Sequence, residues 1–355
     1  MVNKLILKNF KAFKYLELDL SYINILSGVN GGGKSTVIQS LLLLVQSKVA
    51  SKSNSIDKIN LNGYFLKYFN KNELLCVNAN DSEFTIELDG IEFKTNGESI
   101  DSEIFLEKEK DFTIYDHFDY ISADRFGPKR YHEEIVLPYN MIGKYGENTI
   151  NMLTKYYDKI YNNLEKSLSF IFNEKINIQP VNSNDMHVSS IGLKNYKSVF
   201  ADFFNPIHMP FGLSYLLPIL VSIEITKYLH NDKKSLLIFE NPEAHLHPSA
   251  QSRLGYIFAK ESYANLQLII ETHSEHIING MLIGLKDKKI KREDININFF
   301  TKSNEIGENK NTPITLDKDD KIDIWPEGFM DQFTNDSYRI LNVSASIEEL
   351  MKWIY

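Results

Sequence analysis

Lys4 to Phe10 alternates apolar and polar positions, the period of a half-buried strand, and Leu16 to Leu20 repeats it. Ile23 to Leu26 is a short apolar run of strand length, followed by helical spacing from Thr36 to Val45. From Ser47 to Asn60 the composition turns to Ser, Lys and Asn, which predicts a loop. Leu74 to Val77, Glu83 to Leu88 and Ile91 to Lys94 predict short strands, with Asp89-Gly90 as a hairpin turn. They read as an antiparallel β lobe inserted after the first helix.

Tyr120 to Ser122 predicts another strand. Residues 147 to 172 have helical spacing, with Leu153, Tyr156, Tyr157, Ile160, Leu164, Leu168 and Ile171 as the apolar stripe. That stripe is too short for a long coiled coil. Asn205 to Leu213 reads as a Pro/Gly loop, with a helix from Ser214 to Tyr228. Ser235 to Phe239 and Leu266 to Ile270 are apolar runs ending in acids. Helix, apolar strand, polar turn and helix again predict an α/β core with a mostly parallel sheet. In such sheets ligands sit at the carboxyl ends of the strands, so the polar turns can converge on one site.

With 355 residues and 43% hydrophobic content, the chain can build a large core, or one core with an inserted lobe. The net charge of −8 leaves no broad basic nucleic-acid footprint, although 39 Lys and Arg allow a local one. Cys76 is the sole cysteine, so no intrachain disulfide can form. Met1 to Leu5 lacks the apolar stretch of a signal peptide, and Leu41 to Val45 and Leu216 to Ile225 fall short of a membrane span. A cytoplasmic protein with no membrane partner is expected.

Chemistry enters at Gly28-Val29-Asn30-Gly31-Gly32-Gly33-Lys34-Ser35, a complete P-loop between a strand and a helix. Its glycines let several backbone N–H groups face one concavity, and the helix adds its positive end. Asn30, Gly31, Gly33, Lys34, Ser35 and Thr36 are the expected nucleotide contacts. Lys34 can reach the β- and γ-phosphates, and Ser35 can ligate Mg²⁺. ATP and Mg²⁺ are the expected cofactors. Leu236 to Glu240 has the form of a Walker B strand, whose terminal carboxylate can hold the Mg²⁺ shell beside Ser35. The metal ligands expected are therefore Ser35 and Glu240.

The continuation, Glu240-Asn241-Pro242-Glu243-Ala244-His245-Leu246-His247-Pro248, is followed by Glu271-Thr272-His273-Ser274. Here the chain resembles ABC-type ATPases of the SMC/RecN-like and "overcoming lysogenisation defect" group, often filed under AAA ATPases. The resemblance spans nearly the whole chain. Lys8 to Phe13 matches the opening strand. Phe211-Gly212-Leu213-Ser214 to Pro218 looks like a degenerate ABC signature. Asp124-Arg125-Phe126-Gly127-Pro128 and Gly143-Lys144-Tyr145-Gly146-Glu147 look like lobe motifs. Trp325 to Gln332 resembles a subfamily tail that is a domain of unknown function, many of whose relatives occur in anti-phage defence. The resemblance implies one P-loop NTPase (ABC ATPase-like) domain over 1–355. Its β lobe and helical lobe would be inserted over 47–200, with the tail over 295–355.

The resemblance also implies a homodimer or higher homo-oligomer. Gly212 and Ser214 of one copy would face the γ-phosphate held by the other, with His273 as the switch histidine. One departure matters. The usual catalytic glutamate position is Asn241, and an amide cannot take a proton from water. Either Glu243 or Glu240 orients the water, or turnover is slow; Glu271 is a further candidate. The expected catalytic set is thus Lys34, Glu240, Glu243 and His273.

Other clusters have plainer readings. His245, His247, His273 and His276 lack the cysteines of a structural zinc site. Asp317, Asp319, Asp320 and Asp323 read as a solvated hairpin edge, and Lys286 to Arg292 as a solvated helix end. Arg125, Lys129 and Arg130 either reach phosphates or pair with Glu133 and Glu134. Three functions compete. One is an ATP-gated switch for a separate effector, a nuclease or toxin. Another is an SMC-like ATPase that grips DNA or RNA directly. The third is a nucleotide-bound scaffold with little turnover.

Overall fold

The structure is a computed structural model. It describes all residues except 52, 69, 78–81, 101–102, 112–114, 128–131, 134–136, 138–140, 184–187, 196–210, 304–308 and 342–355. Pro128, Lys129, Arg130, Glu134 and the first part of the expected 205–213 loop therefore lie outside the described residues, as do the side chains of His132 and Glu133.

The elements begin with β1 (Lys4–Phe10), β2 (Phe13–Asp19), β3 (Ile23–Gly28), α1 (Lys34–Ser51) and β4 (Ser55–Asn60). Then come β5 (Thr85–Leu88), β6 (Ile91–Ile100), β7 (Glu103–Asp111), β8 (His117–Ile121) and β9 (His132–Glu133). The helical part holds α2 (Thr149–Phe172), β10 (Ile176–Ser183), β11 (Val188–Asn195) and α3 (Phe211–His230). The chain continues through β12 (Ser235–Glu240), α4 (Pro248–Glu261), β13 (Leu266–Glu271) and α5 (Glu275–Lys286). It reaches β14 (Ile295–Thr301), β15 (Lys310–Ile314) and α6 (Gln332–Leu341).

The core sheet runs β15-β14-β3-β13-β12-β8. Every pair is parallel except β14 with β15. Pro313 sits in β15, an edge strand, where a missing N–H is tolerated. The central strands bury both faces, so their sequences read as apolar runs. On β12, Leu237 and Phe239 face α2 to α5, while Leu236 and Ile238 face α1. On β13, Leu268 and Ile270 take the first side and Ile269 the second. Parity then puts Glu240 and Glu271, which are register partners, side by side on the α1 face.

Helix α1 lies between this sheet and a second, antiparallel sheet of order β2-β1-β5-β6-β7-β4. That position explains its all-round apolar surface, including the buried run Leu41 to Val45. Burying those five side chains stabilises the sandwich by roughly 10 kcal/mol before entropic costs. On the other face lies α3, among the described residues the one helix whose length and composition would allow it to cross a membrane; 72% of its apolar window is buried, as in a core helix.

Several expectations need correction. Residues 47 to 60 are not a loop: α1 continues to Ser51 and β4 pairs with β7, burying Ile56 and Ile59. Leu74 to Val77 is not a strand; Leu75 makes one bridge to Phe10. The β lobe is not purely an insertion, because β1 pairs with β5 and brings the first hairpin into its sheet. Helix α3 begins at Phe211, earlier than its spacing suggests. The Asp89-Gly90 hairpin is present, with φ of +47° and +83°, and Asp89 accepts from the backbone of Asn3 and Lys4.

Candidate nucleotide site

The P-loop leaves β3 at Gly28 and curls into α1. Gly28, Gly31 and Gly33 hold φ of +131°, +76° and +110°, a region that favours glycine. Two of them are also hemmed in. A Cβ on Gly28 would lie 2.1 Å from the Phe300 carbonyl, and one on Gly33 would lie 2.3 Å from the Phe13 ring. Val29 N–H donates to Phe300 O at 3.0 Å, and Asn309 Nδ2 donates to Gly31 O at 2.8 Å. Strand β14 and Asn309 thus back the loop, a support with no motif to announce it. Asn30 and Ser35 are exposed at its rim, while Lys34 and Thr36 are buried.

Lys34 Nζ donates to the carbonyls of Gly28 and Val29, at 2.9 and 3.0 Å. Burial lowers its pKa, and the Glu271 charge opposes that shift. Ser35 Oγ lies 3.4 Å from both carboxylate oxygens of Glu271, to which it donates. Glu240 has other partners: it accepts from Tyr120 Oη at 3.0 Å and from Ala123 N–H at 3.3 Å. Burial raises the pKa of Glu240. Burial and then the Glu240 charge push Glu271 up to about 7. The two carboxylates are therefore short of positive charge beside Ser35.

After Glu240 the chain turns sharply. Asn241 sits at φ +43°, donates its N–H to Glu271 O at 2.9 Å, and buries an Oδ1 that has no partner among the described residues. Glu243 Oε1 accepts from the His273 N–H at 2.9 Å, joining the two turns, and burial raises the Glu243 pKa. The His273 pKa is lowered by burial and by Lys34, so its ring is neutral at pH 7. His247 caps α4, its Nδ1 accepting from Ser249 N–H at 3.3 Å. Ser274 caps α5 and donates to Gln251 Oε1 at 2.6 Å, tying the two segments together.

Thus the structure brings Lys34, Ser35, Glu240, Glu243, Glu271 and His273 to the ends of three adjacent strands. Gly212 and Ser214 lie elsewhere. They open α3 against the turn at His245, whose carbonyl would be 2.7 Å from a Cβ on Gly212. No hydrogen bond among the described residues joins them to the P-loop. Ser214 Oγ is buried without a partner there.

A match to solved structures places this architecture. An SMC head bound to the C-terminal winged-helix domain of ScpA aligns with a TM-score of 0.51 and 14% identity over 89% of this chain and 98% of that one. A second SMC head, with an extended coiled coil and bound to the C-terminal domain of ScpA derived from Pyrococcus furiosus, gives 0.53 and 12% over 96% and 98%. The fold is that of an ABC-type ATPase head. A family profile described as "AAA domain, putative AbiEii toxin, Type IV TA system" matches residues 145–279, from α2 into the first turn of α5. A second, "Protein of unknown function (DUF3696)", matches 290–340. No curated protein is a significant sequence match.

Other residues around the site had ordinary sequence signals. Asp119 is buried, accepts from the N–H of Ile142 and from Ser222 Oγ, and is pushed up to about 6 by burial. It holds the Gly143 to Glu147 motif against the core. Arg125 is the clearest correction: it neither reaches the P-loop nor forms an ion pair among the described residues, but donates to backbone carbonyls around Glu240. Arg292 instead pairs with Asp320 at 2.6 Å, which accounts for part of the acidic tail. No group of three or more His, Cys, Asp or Glu among the described residues is arranged to hold a metal.

Proposed function

We propose that the chain binds ATP with Mg²⁺ at this P-loop and hydrolyses it slowly. The observation that carries the reading is the loop itself, a glycine-lined cradle whose lysine amine meets two loop carbonyls and no carboxylate. The residues fit the nucleotide and its metal. Asn30 to Gly33 and Thr36 offer backbone and side-chain donors, and Lys34 a cation that can leave its carbonyls for phosphate. Ser35 offers a hydroxyl, with Glu240 and Glu271 as the adjacent carboxylates. Fewer than three protein ligands suffice, because Mg²⁺ in such sites is completed by phosphates and water. When bound, the metal neutralises charge on the phosphates. Glu243, which accepts from the backbone N–H of His273, and the neutral His273 ring stand where they can orient water; Asn241 can hydrogen-bond but not accept its proton.

In this reading two copies close around ATP, Gly212 and Ser214 of each facing the nucleotide of the other. Ser214 Oγ, which has no hydrogen-bond partner among the described residues, supports that arrangement. The cytoplasmic head then acts as a sensor or switch for a separate nuclease or toxin in anti-phage defence, which agrees with the toxin–antitoxin wording of the matching profile. Lys34→Ala should abolish ATP turnover; turnover at the wild-type rate would refute the site.

The second reading, a DNA-processing ATPase with partner proteins, is favoured by the likeness to ScpA-bound SMC heads. It predicts DNA or RNA binding that weakens steeply with salt. No binding at low salt would remove it.

A further inference from the structure

Arg125 is a buried cation that forms no ion pair among the described residues, although the Glu243 and Glu240 carboxylates favour its charge from further off. It is 2% exposed, and burial lowers its pKa to about 10, still protonated at pH 7. Nη1 donates to Ser122 O at 2.8 Å and to Glu240 O at 2.7 Å, while Nη2 donates to Asn241 O at 2.8 Å. Its guanidinium carbon stands 5.3 Å from the centroid of the Tyr215 ring. A desolvated guanidinium is costly unless its geometry is good, and the planar fork supplies three bonds at once.

These contacts belong to three elements. Ser122 follows β8, Glu240 ends β12 with Asn241 just after it, and Tyr215 lies in the first turns of α3 beside Ser214. Asn241 is gripped from both sides, its carbonyl by Arg125 and its N–H by Glu271 O. Tyr215 in turn packs edge-on against His245 at 4.6 Å and near Phe211. Pro218 lies inside α3, so the Ser214 carbonyl has no helical N–H to accept. The first turn of α3 is tied less tightly to its own helix than a regular turn would be.

We propose that Arg125 is a positioning residue that couples the two halves of the ATP machinery. It fixes the Glu240-Asn241 turn and, through Tyr215, sets the Gly212 to Ser214 end that faces the partner copy. Nucleotide at one P-loop is thereby reported to the signature of the same chain. The proposal rests on the ATPase reading above.

The test uses the full chain, its Arg125→Lys and Tyr215→Leu variants, and the double variant. Lysine keeps the charge but loses the fork. Binding of a fluorescent ATP analogue should change less than about 3-fold, since no P-loop contact is altered, while turnover falls about 10- to 100-fold, the range for supporting residues. The diagnostic readout is amide hydrogen exchange over residues 211–217. ATP should slow it in the wild type and leave it unchanged in both single variants, with the double variant no worse than either. Wild-type exchange slowing in Arg125→Lys, or fully additive losses in the double variant, overturns the coupling. Should Arg125→Lys fail to fold, Tyr215→Leu decides: retained slowing overturns the proposal and lost slowing supports it. The parent reading fails separately, by a wild type that binds no ATP. A wild type that binds ATP with no change over 211–217 refutes the coupling alone.

Discussion

Glu271→Gln offers the most direct measurement of stored electrostatic strain at the site. Glu271 is 8% exposed and lies beside Glu240, and its pKa rises from 4.5 to about 7. Between those values the folded state holds a proton that the unfolded state has released, so stability falls as pH rises through this window and is flat above it. At about 1.4 kcal/mol per unit, the carboxylate costs on the order of 3 kcal/mol at pH 8 and little at pH 4.5. Glutamine keeps the shape and an acceptor for Ser35 Oγ without the titration. Urea unfolding in chelator, at pH 5 and pH 8, should therefore show the variant losing about 2–3 kcal/mol less than the wild type over that interval. At pH 8 the variant should be the more stable protein. Parallel pH dependences in the two proteins would refute the carboxylate-pair description. Added Mg²⁺ with nucleotide should narrow the gap, because it stabilises the wild type by mass action.

Gly33→Ala places a methyl 2.3 Å from the Phe13 ring at φ +110°; thermal melts should show a loss of about 1–3 kcal/mol. Nucleotide titration should show weakened affinity in the same variant. Phe239→Ala removes a fully buried ring stacked 5.9 Å from Phe258, and denaturant unfolding should register about 3–5 kcal/mol. Asp89→Ala removes the acceptor for two backbone N–H groups, and the same unfolding assay should show a loss of about 1 kcal/mol.

Much of the core was legible because its signals are local. β3, β12 and β13 are apolar on both faces and end in polar turns, so position and chemistry coincide in sequence. The P-loop needs its glycines in one order, and the positive φ values show why. What the sequence hid depends on partners far along the chain. Ser55 to Asn60 is polar in composition, yet pairing with β7 makes it a strand. Lys4 to Phe10 reads as a strand but not as part of the lobe, since only β5 decides that. The proximity of Glu271 to Ser35 follows from the register of β13 against β3, which no motif prints. Arg125 read as a phosphate contact or an ion-pair partner of Glu133 and Glu134; its bonds to three carbonyls and its place by Tyr215 are a tertiary fact.

The order of strands also bears on how the protein comes into being. The P-loop occurs early in the sequence, but its strand β3 is flanked in the sheet by β13 and β14, both from the last third. Such long-range pairing forms late, after most of the chain exists. Phe300, which receives the Val29 N–H, is among the last pieces to arrive. A nascent chain stopped before that strand holds every residue of the glycine loop but lacks Phe300 and Asn309, which back it. If the loop holds ATP as proposed, nucleotide retention would report a finished fold, and a truncated product would fail to bind.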